Sequence, residues 1–455
     1  MEVIALGRLF GTDGARGVAN TEITCEIAMQ IGRAAALVLS EDNGGKRPVV
    51  MIGKDTRASG DMIEGALVAG LCSVGANVIL LGVVPTPAVA YMVTTYQADA
   101  GIMISASHNP CEYNGIKIFA STGYKLPDEV ENRIEAIVLD KAQELPVPVG
   151  GDVGMVTRKA DAVDEYVAHV ASTVDVKLDG LRIALDCANG SASVSAAKLF
   201  EALGAKFEIY CSEPDGVNIN DNCGSTHIGN LQKIVKEGGF DAGFAFDGDA
   251  DRCLAVDNNG NLVDGDYILA LMAEDLKERG ALKGNAVVGT ILTNMGFGKY
   301  CAERGMTFVA AKVGDRYVLE QMLKNGYNLG GEQSGHVIFL DYCTTGDGQL
   351  TAVQICGMLM RSGRKLSECT DLVKPLPQTM VNVRVTPEGK AKWKTCQPLK
   401  DAVSAAEEEL KGTGRVIVRE SGTEPLIRVM TEGEDEAQIL RLADELAAVV
   451  KEHLA

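Results

Sequence analysis

Positive charge is scarce in this sequence. Its 455 residues include 43 Lys and Arg against 62 Asp and Glu, which gives a formal net charge of −19. Nucleic acids and anionic membrane surfaces repel such a protein, so we expect neither as a partner. A substrate that carries phosphate would need a local basic pocket, because the field of the whole protein opposes its approach.

Paired cysteines are also missing. The 12 Cys residues are scattered singly, no CxxC pair occurs, and the five His residues complete no zinc-binding pattern. Several of these residues, such as Cys72 and Cys356, lie within apolar runs. We interpret them as small buried hydrophobic residues of a protein in a reducing compartment.

Signals for export or membrane insertion are absent as well. The N-terminus has no basic start and its apolar stretch is too short for a signal peptide, so we expect a cytoplasmic protein. Residues 65–98 carry no charge and would be long enough to cross a bilayer. Pro85 and Pro87 interrupt this stretch, which predicts a helix, a buried strand (Asn77–Leu81), a turn and a second helix instead.

What the sequence does contain is a repeat. Its length predicts three or four domains, and 46% hydrophobic with 23% charged residues is typical of a globular chain. Three stretches share the order strand, loop, helix, Gly turn, strand. Their paired strands begin at Val49 and Asn77, Leu181 and Lys206, and Ala286 and Thr307. Short apolar strands alternating with helices predict three related α/β domains with mixed sheets covered by helices.

The C-terminal part has a different pattern. After Pro375 and Pro377 the order is strand, helix, strand, strand and a long helix, which predicts a smaller C-terminal α+β domain. Pro- and Gly-rich stretches and the end of an acidic cluster suggest the divisions. We expect domains at residues 1–153, 154–253, 254–370 and 371–455.

Ser107 lies in the segment SASHNP, residues 105–110, directly after a predicted buried strand, Ala100–Ile104. A serine just past the end of a strand is well placed for a crevice, and its small neighbours leave the hydroxyl accessible. The same residues suit an ordinary Asn-Pro turn equally well.

Three carboxylates follow the predicted strand Ala242–Phe246. Asp247, Asp249 and Asp251 occupy alternate positions of an extended chain, so their oxygens can converge. Carboxylates that close repel each other unless a cation lies between them, and a hard cation, Mg²⁺ before Ca²⁺, is indicated. A helix–loop–helix calcium site needs Gly and Glu where this chain has Arg252 and Asn258, although a solvated acidic turn stays open.

Two further loops combine groups that suit a phosphate or a sugar. Residues 419–428, RESGTEPLIR, offer two Arg side chains, two hydroxyls and Gly backbone N–H groups, which suit a phosphate. Residues 330–336, GGEQSGH, offer acceptors, a hydroxyl and an imidazole. An exposed hairpin and a solvated loop are the simpler interpretations. The Gly-rich stretch 10–17, FGTDGARG, does not fit a dinucleotide-binding loop.

Taken together, the four motifs resemble those of the α-D-phosphohexomutase superfamily. ASHNP resembles its phosphoserine motif, DGDADR its metal motif, GEQSGH its sugar motif and RESGTEP its phosphate motif, in the family order along nearly the whole chain. FGTDGARG, KVGDRYVLE, GEQSGHVIFLDY and TTGDG further resemble the phosphoglucosamine mutase branch.

The resemblance implies four domains, named after the phosphoserine, the metal, the sugar and the phosphate in chain order. It implies that phosphoserine 107 donates its phosphate, that Mg²⁺ is the cofactor, and that a homodimer is possible. The implied metal ligands are Ser107, Asp247, Asp249 and Asp251. The implied substrate contacts are Arg252, Glu332, Ser334, His336, Arg419, Ser421, Gly422, Thr423 and Arg428.

The implied reaction interconverts glucosamine 6-phosphate and glucosamine 1-phosphate through a 1,6-bisphosphate, on the route to UDP-N-acetylglucosamine and the bacterial cell wall. A base must take the proton of the sugar hydroxyl, and we expect Lys117, with Arg16 and His336 as alternatives. Lys117 would then need a lowered pKa. A mutase for neutral hexose phosphates, a non-catalytic phosphosugar-binding protein and a metal-dependent phosphatase remain open as alternatives.

Overall fold

The structure is a computed structural model that describes residues 8–11, 13–421 and 425–455. These residues form two compact units. The first unit extends through Leu292 and resumes at Met306–Leu372, and the second combines Thr293–Gly305 with Val373–Ala455. Three sheets lie in the first unit and one in the second.

The first sheet has six strands. Its elements are β1 (Ala15–Val18), α1 (Cys25–Asp42), β2 (Val49–Lys54), α2 (Ser59–Ser73), β3 (Asn77–Val83), α3 (Thr86–Thr95), β4 (Ala100–Ile104), β5 (Tyr113–Ala120), α4 (Asp128–Asp140) and β6 (Val156–Arg158). The strand order is β1-β5-β4-β2-β3-β6, with β1 and β5 in antiparallel pairings and the rest parallel. Helices α1 and α2 pack closely because Gly32 and Gly70 lie at their crossing. A Cβ atom at Gly70 would come within 2.2 Å of the Met29 carbonyl oxygen.

The second sheet has five strands. Its segment contains α5 (Ala162–Ala171), β7 (Arg182–Asp186), α6 (Ala196–Ala202), β8 (Lys206–Tyr210), α7 (Gly229–Gly238), β9 (Ala242–Phe246), β10 (Cys253–Asp257) and β11 (Leu262–Val263). The order is β11-β10-β9-β7-β8, and β8, β7 and β9 are parallel neighbours. Strand β9 is fully buried, which explains its continuous apolar sequence.

The third sheet has four strands in the order β13-β12-β14-β15, and the last of these is antiparallel. Its segment contains α8 (Gly265–Glu278), β12 (Ala286–Thr290), α9 (Met295–Glu303), β13 (Thr307–Ala311), α10 (Asp315–Asn325), β14 (Leu329–Gly331), β15 (Val337–Phe339), α11 (Gly348–Ser362) and α12 (Leu366–Thr370). By its contacts, α9 belongs to the second unit.

The second unit contains a three-stranded antiparallel sheet in the order β16-β18-β17. Its remaining elements are β16 (Gln378–Arg384), α13 (Pro387–Lys392), α14 (Gln397–Glu409), β17 (Gly414–Glu420), β18 (Leu426–Gly433) and α15 (Glu436–Leu454). Apolar residues of α14 and α15, including Leu399 and Leu446, pack with Ile427 of the sheet in one core.

The predicted fold class is confirmed. Each of the three repeats forms parallel strands extended by an antiparallel strand, and the fourth segment forms a smaller antiparallel sheet with helices. The uncharged stretch 65–98 folds as the end of α2, then β3 and α3, and no helix within the described ranges is long and apolar enough to cross a bilayer. The short helix α13 was not predicted, although Thr386 caps it and Pro387 begins it.

The sheets and the predicted domain divisions differ at two places. Strand β6 follows residue 153 but pairs with β3 of the first sheet. Strand β10 begins at residue 253 and β11 lies beyond it, yet both extend the second sheet by antiparallel pairing. By sheet membership, β6 belongs with the first repeat, and β10 and β11 belong with the second.

Candidate active site

Ser107 lies three residues beyond β4, in a backbone conformation that is uncommon for any residue except glycine, with φ of 52°. Its backbone N–H donates to Ser105 Oγ at 2.9 Å, and Ser105 Oγ donates to Asp55 Oδ2 at 2.6 Å. Unusual backbone angles held by surrounding hydrogen bonds are typical of functional loops.

Two buried side chains fix the loop of Ser107. The Arg57 guanidinium pairs with Asp55 at 2.9 Å and donates to the carbonyl oxygens of Ser107 and Asn109 at 2.9 and 2.8 Å. Asn220, from the second repeat, donates to the same two carbonyl oxygens at 2.9 and 3.0 Å. None of these anchors was predicted from the sequence, since their roles depend on contacts between distant segments.

The Asp triad (Asp247, Asp249, Asp251) follows β9 and is 0–4% exposed. One ligand atom from each residue lies within 4.8 Å of the others, so the predicted convergence is present. Ser107 Oγ donates to Asp247 Oδ2 at 2.5 Å. The two loops approach so closely that a Cβ atom at Gly248 would lie 2.6 Å from the Ser107 carbonyl oxygen.

The Asp triad fits a hard divalent cation. Within the described residues, the Oδ1 atoms of Asp249 and Asp251 are buried without a hydrogen-bond partner. Burial and the two neighbouring carboxylates raise the pKa of Asp247 well above its usual range. Buried carboxylates with oxygens to spare are the ligands that such cations prefer. Thr86 Oγ1 holds the triad from one side, donating to Asp249 Oδ2 at 2.7 Å.

Lys117, on β5, lies among carboxylates. Its Nζ atom is 3.2 Å from Asp13 Oδ1, 3.3 Å from Asp251 Oδ2 and 3.6 Å from Asp249 Oδ2. Burial alone would lower the pKa of Lys117, but these carboxylates outweigh it and raise the pKa. In this arrangement Lys117 is a cation, whereas the predicted role as a base requires a lowered pKa.

Asp13 joins several cations and was not among the predicted site residues. Its carboxylate pairs with Lys117, with Arg16, and with Lys125 at 2.5 Å. Burial opposes the charge of Asp13, but these three cations hold its pKa well below the usual range. Lys125 also pairs with Asp315 at 2.5 Å. The Gly-rich stretch 10–17 was the available signal, because Asp13 lies within it.

Arg252 and His108 lie beside Ser107. Arg252 Nη1 donates to His108 Nδ1 at 2.8 Å, and His108 Nδ1 is 3.4 Å from Ser107 Oγ. Burial, with the nearby Arg252 and Arg16, lowers the pKa of His108 to about 4, so the ring is neutral near pH 7. The backbone N–H of Arg252 donates to Asp247 Oδ1 at 3.2 Å.

The predicted sugar loop is partly at this site. His336 is buried, and its Nε2 atom lies 3.9 Å from Asp251 Oδ2 and 3.7 Å from Asp315 Oδ2. Glu332 accepts the backbone N–H of Gly314 at 3.0 Å. Ser334, between them in sequence, is exposed. The two glycines before Glu332 belong to β14 rather than to the loop.

The predicted phosphate residues lie in the second unit. Arg419 and Arg428 are direct partners in the β17–β18 ladder, and Arg428 Nη2 is 3.5 Å from Ser421 Oγ. Like charges that face each other across a ladder repel, and an anion between them relieves the repulsion. Gly422 and Thr423 lie outside the described residues.

The first unit thus brings together nearly all of its predicted site residues, and their chemistry suits phosphoryl transfer. A hydroxyl lies against three buried carboxylates, and cations surround them. Such a set can position a phosphoryl group and neutralise its charge. The residues involved are Arg16, Ser107, Lys117, Asp247, Asp249, Asp251, Arg252, Glu332 and His336.

Family models match four successive parts of the chain. They describe phosphoglucomutase/phosphomannomutase alpha/beta/alpha domain I at residues 7–145, domain II at 164–260, domain III at 264–376, and the C-terminal domain at 380–449.

Known proteins agree with these matches. The chain is 52% identical to the phosphoglucosamine mutase of Ruminiclostridium cellulolyticum, over 99% of this chain and 100% of that protein. A solved structure of a phosphoglucomutase/phosphomannomutase family protein from Burkholderia thailandensis matches with a TM-score of 0.81 at 25% identity, over 99% of this chain and 98% of that one. The fold also matches Aspergillus fumigatus N-acetylphosphoglucosamine mutase in complex with GlcNAc-6P and magnesium, with a TM-score of 0.68 at 17% identity, over 98% and 96%. The chain therefore belongs to the phosphoglucomutase/phosphomannomutase family, within the α-D-phosphohexomutase superfamily that its motifs resemble.

Proposed function

We propose that this chain is a phosphoglucosamine mutase that interconverts glucosamine 6-phosphate and glucosamine 1-phosphate. The observation that carries the proposal is the 2.5 Å hydrogen bond from Ser107 Oγ to Asp247 within the buried Asp triad. The full-length relative that is 52% identical bears the name of this activity, which favours glucosamine phosphates over glucose or mannose phosphates.

Ser107 is the proposed phosphate carrier. In its phosphorylated form, the bond from Ser107 Oγ to phosphorus breaks while a bond forms from phosphorus to the oxygen of the free sugar hydroxyl at C1 or C6. The proton of that hydroxyl passes to the base, and Ser107 Oγ takes up a proton. The product is the 1,6-bisphosphate, which rotates end over end within the site. Ser107 Oγ then loses its proton and accepts the other phosphoryl group. A proton returns to the sugar oxygen from which that group leaves.

Asp247, Asp249 and Asp251, with a phosphate oxygen on Ser107, would hold the metal ion, for which we propose Mg²⁺. Three carboxylates around a buried space favour this choice, since Mg²⁺ prefers oxygen ligands and often binds carboxylates together with phosphate. When bound, the ion supplies neutralisation of charge on the moving phosphoryl group.

Lys117, Arg16 and His336 are the proposed catalytic side chains around Ser107. Our sequence prediction makes Lys117 the base, yet its carboxylate neighbours raise its pKa. Lys117→Arg and Lys117→Met separate the two possible roles. If Lys117 only stabilises negative charge, the Arg variant keeps more of kcat than the Met variant, whereas a base role predicts that both variants lose it equally.

The remaining proposed contacts bind the substrate. Glu332, Ser334 and His336 are proposed to bind the sugar hydroxyls and the amino group, and Arg252 a phosphate oxygen near Ser107. We propose that the β17–β18 loop binds the second phosphate of either orientation of the bisphosphate, because guanidinium forks recognise phosphate wherever it is attached. The residues proposed there are Arg419, Ser421, Gly422, Thr423 and Arg428.

The decisive experiment assays the purified protein with glucosamine 6-phosphate, glucose 6-phosphate and mannose 6-phosphate, each with and without a trace of the matching 1,6-bisphosphate. We expect the highest kcat/KM with glucosamine 6-phosphate. A preference for glucose or mannose would support the neutral-sugar alternative, and release of free phosphate would support a phosphatase.

Ser107→Ala is the matched variant for this assay. We expect it to remain folded, to lose turnover, and to lose the fraction that carries one extra phosphate in intact mass spectra. Substantial residual turnover would exclude Ser107 as the carrier. We further propose a cytoplasmic location. We also propose no nucleic-acid or membrane partner, which the net charge of −19 favours.

A further inference from the structure

A second cluster of ligand atoms lies in the second sheet, apart from the Asp triad. Asp186 is the last residue of β7, Cys211 follows β8, and Cys223 lies in the loop beyond. One ligand atom of each lies within 4.8 Å of the others. Asp186 and Cys223 are 3% and 2% exposed, while Cys211 is half-buried.

The environment of Asp186 calls for a cation. Its carboxylate accepts backbone N–H groups from Ala188 and Gly224, both at 2.9 Å, and the thiol of Cys211. Across residues 8–11, 13–421 and 425–455, no basic side chain pairs with it. A buried carboxylate is normally paired with a basic group or bound to a metal. Two backbone hydrogen bonds leave further lone pairs of its oxygens available.

The two sulfur atoms face each other beside this carboxylate. The Cys223 thiol donates a hydrogen bond to Cys211. The ligand atoms of the three residues lie within 4.8 Å of one another, close enough for one cation to contact all three. A cysteine that serves only as an apolar core residue does not need a carboxylate and a second thiol as neighbours.

We propose that Asp186, Cys211 and Cys223 form a binding site for a thiophilic divalent cation, with Zn²⁺ as the first choice. Two sulfur ligands and one oxygen ligand suit Zn²⁺ and disfavour Mg²⁺. On binding, two S–H bonds break, two Zn–S bonds form, and two protons are released to solvent. The fourth position is open to water, because Cys211 is partly exposed.

The site is independent of the proposed mutase chemistry, but it is connected to the Ser107 loop. Asn220 lies on the segment between Cys211 and Cys223 and donates to the Ser107 carbonyl oxygen at 2.9 Å. A metal ion that joins the two ends of this segment would hold Asn220 in place. The bound cation would therefore help to position the loop of the phosphate carrier.

The test titrates the reduced, metal-free full-length protein with Co²⁺ in excess Mg²⁺, which occupies oxygen-only sites. We expect one Co²⁺ per chain with a near-ultraviolet thiolate-to-cobalt absorption band, and displacement of the band by Zn²⁺. Cys211→Ser and Cys223→Ser should each remove the band, while Cys72→Ser, also half-buried, should keep it. No band in the wild type, or a band that survives both substitutions, would overturn the proposal.

A measurement on the wild type covers the case in which a serine variant does not fold. X-ray absorption of the Zn²⁺-loaded protein should show two sulfur ligands at about 2.3 Å. A shell of only oxygen and nitrogen would overturn the proposal. So would a protein purified under reducing conditions whose mass is lower by two hydrogens and whose peptides join Cys211 to Cys223, since a disulfide leaves no thiolates to bind the metal.

Discussion

Two groups of ligand atoms lie at one edge of the second sheet. Asp186, Cys211 and Asp247 mark the carboxyl ends of β7, β8 and β9, which are parallel neighbours. This edge is where open α/β sheets bind ligands. The Asp triad offers only oxygen and touches Ser107, whereas the cluster of Asp186, Cys211 and Cys223 offers two sulfurs and one oxygen. The same sheet edge thus presents a hard and a soft set of ligands, and the donor atoms decide which cation each prefers.

Removal of a ligand from the hard set, the Asp triad, should have the largest effect on kcat. Asp249→Ala deletes a buried ligand of the Asp triad, and we expect kcat to fall by about 10³-fold or more, since a catalytic metal supplies several kcal/mol. EDTA should abolish turnover of the wild type and Mg²⁺ should restore it. The thiolate-to-cobalt band should persist in Asp249→Ala. Loss of that band would show that the two sets are one coupled site.

A substitution that disturbs the close contact between the loop of the Asp triad and the loop of Ser107 should have the next largest effect on kcat. The Cβ atom of Gly248→Ala would lie 2.6 Å from the Ser107 carbonyl oxygen, so one of the two loops has to move. A displacement near 1 Å costs about 100-fold in rate, and we expect that loss in kcat with the protein still folded. Gly229→Ala, where nothing lies within 4 Å, is the control. Equal rates for both variants would contradict the close approach.

Loss of the connection between the soft set (Asp186, Cys211 and Cys223) and the Ser107 loop should have a smaller effect on kcat. Asn220→Gly removes two hydrogen bonds to the Ser107 loop while tolerating the φ of 60°. Each bond is worth about 1 kcal/mol, so the two together predict a fall in kcat of about 30-fold. Asn222→Gly is the matched control, because Asn222 has φ of 52° and is exposed. If both variants kept the wild-type kcat, Asn220 would not be a positioning residue.

The buried carboxylate of Asp347, which belongs to neither set, should affect stability rather than rate or metal content. Asp347 accepts hydrogen bonds from Tyr166 Oη and the Leu350 N–H, and burial raises its pKa to about 6. Because the folded state prefers the protonated acid, this contribution to stability is complete below pH 3.8 and is lost as pH rises through about 6. The pKa difference corresponds to about 3 kcal/mol.

Asp347→Asn should remove this pH dependence. We expect the free energy of unfolding of the variant to increase relative to that of the wild type between pH 4 and 6 and then to level off. Asp179→Asn, which removes an exposed carboxylate in the same way, is the control. The same slope in both variants would place the titration elsewhere. Urea unfolding at several pH values provides the measurement.

The sequence could predict the features whose residues lie close together along the chain. The three repeats are visible because each strand is a short apolar run, and the Asp triad is visible because its members alternate within five residues. The placement of Ser107 beside the triad rested on the resemblance alone, since 140 residues separate Ser107 from Asp247.

The residues that the sequence did not reveal depend on contacts between distant segments. Asp13 gains its role from Lys117 and Lys125, more than a hundred residues away. The raised pKa of Lys117 depends on carboxylates from two other segments, so no local pattern could show it. The cluster of Asp186, Cys211 and Cys223 was missed for the same reason, because its ligands come from two strand ends and a loop, and its cysteines form no motif.

The distance in sequence between Ser107 and Asp247 also has a consequence during translation. The ribosome makes the hydroxyl 140 residues before the carboxylate that it contacts, and the Asn220 side chain that fixes its loop arrives 113 residues after it. A nascent chain that ends before the second sheet therefore contains the serine without its acidic partners. Such a chain could complete its first sheet while it is still being synthesised, yet it would be unable to transfer a phosphate.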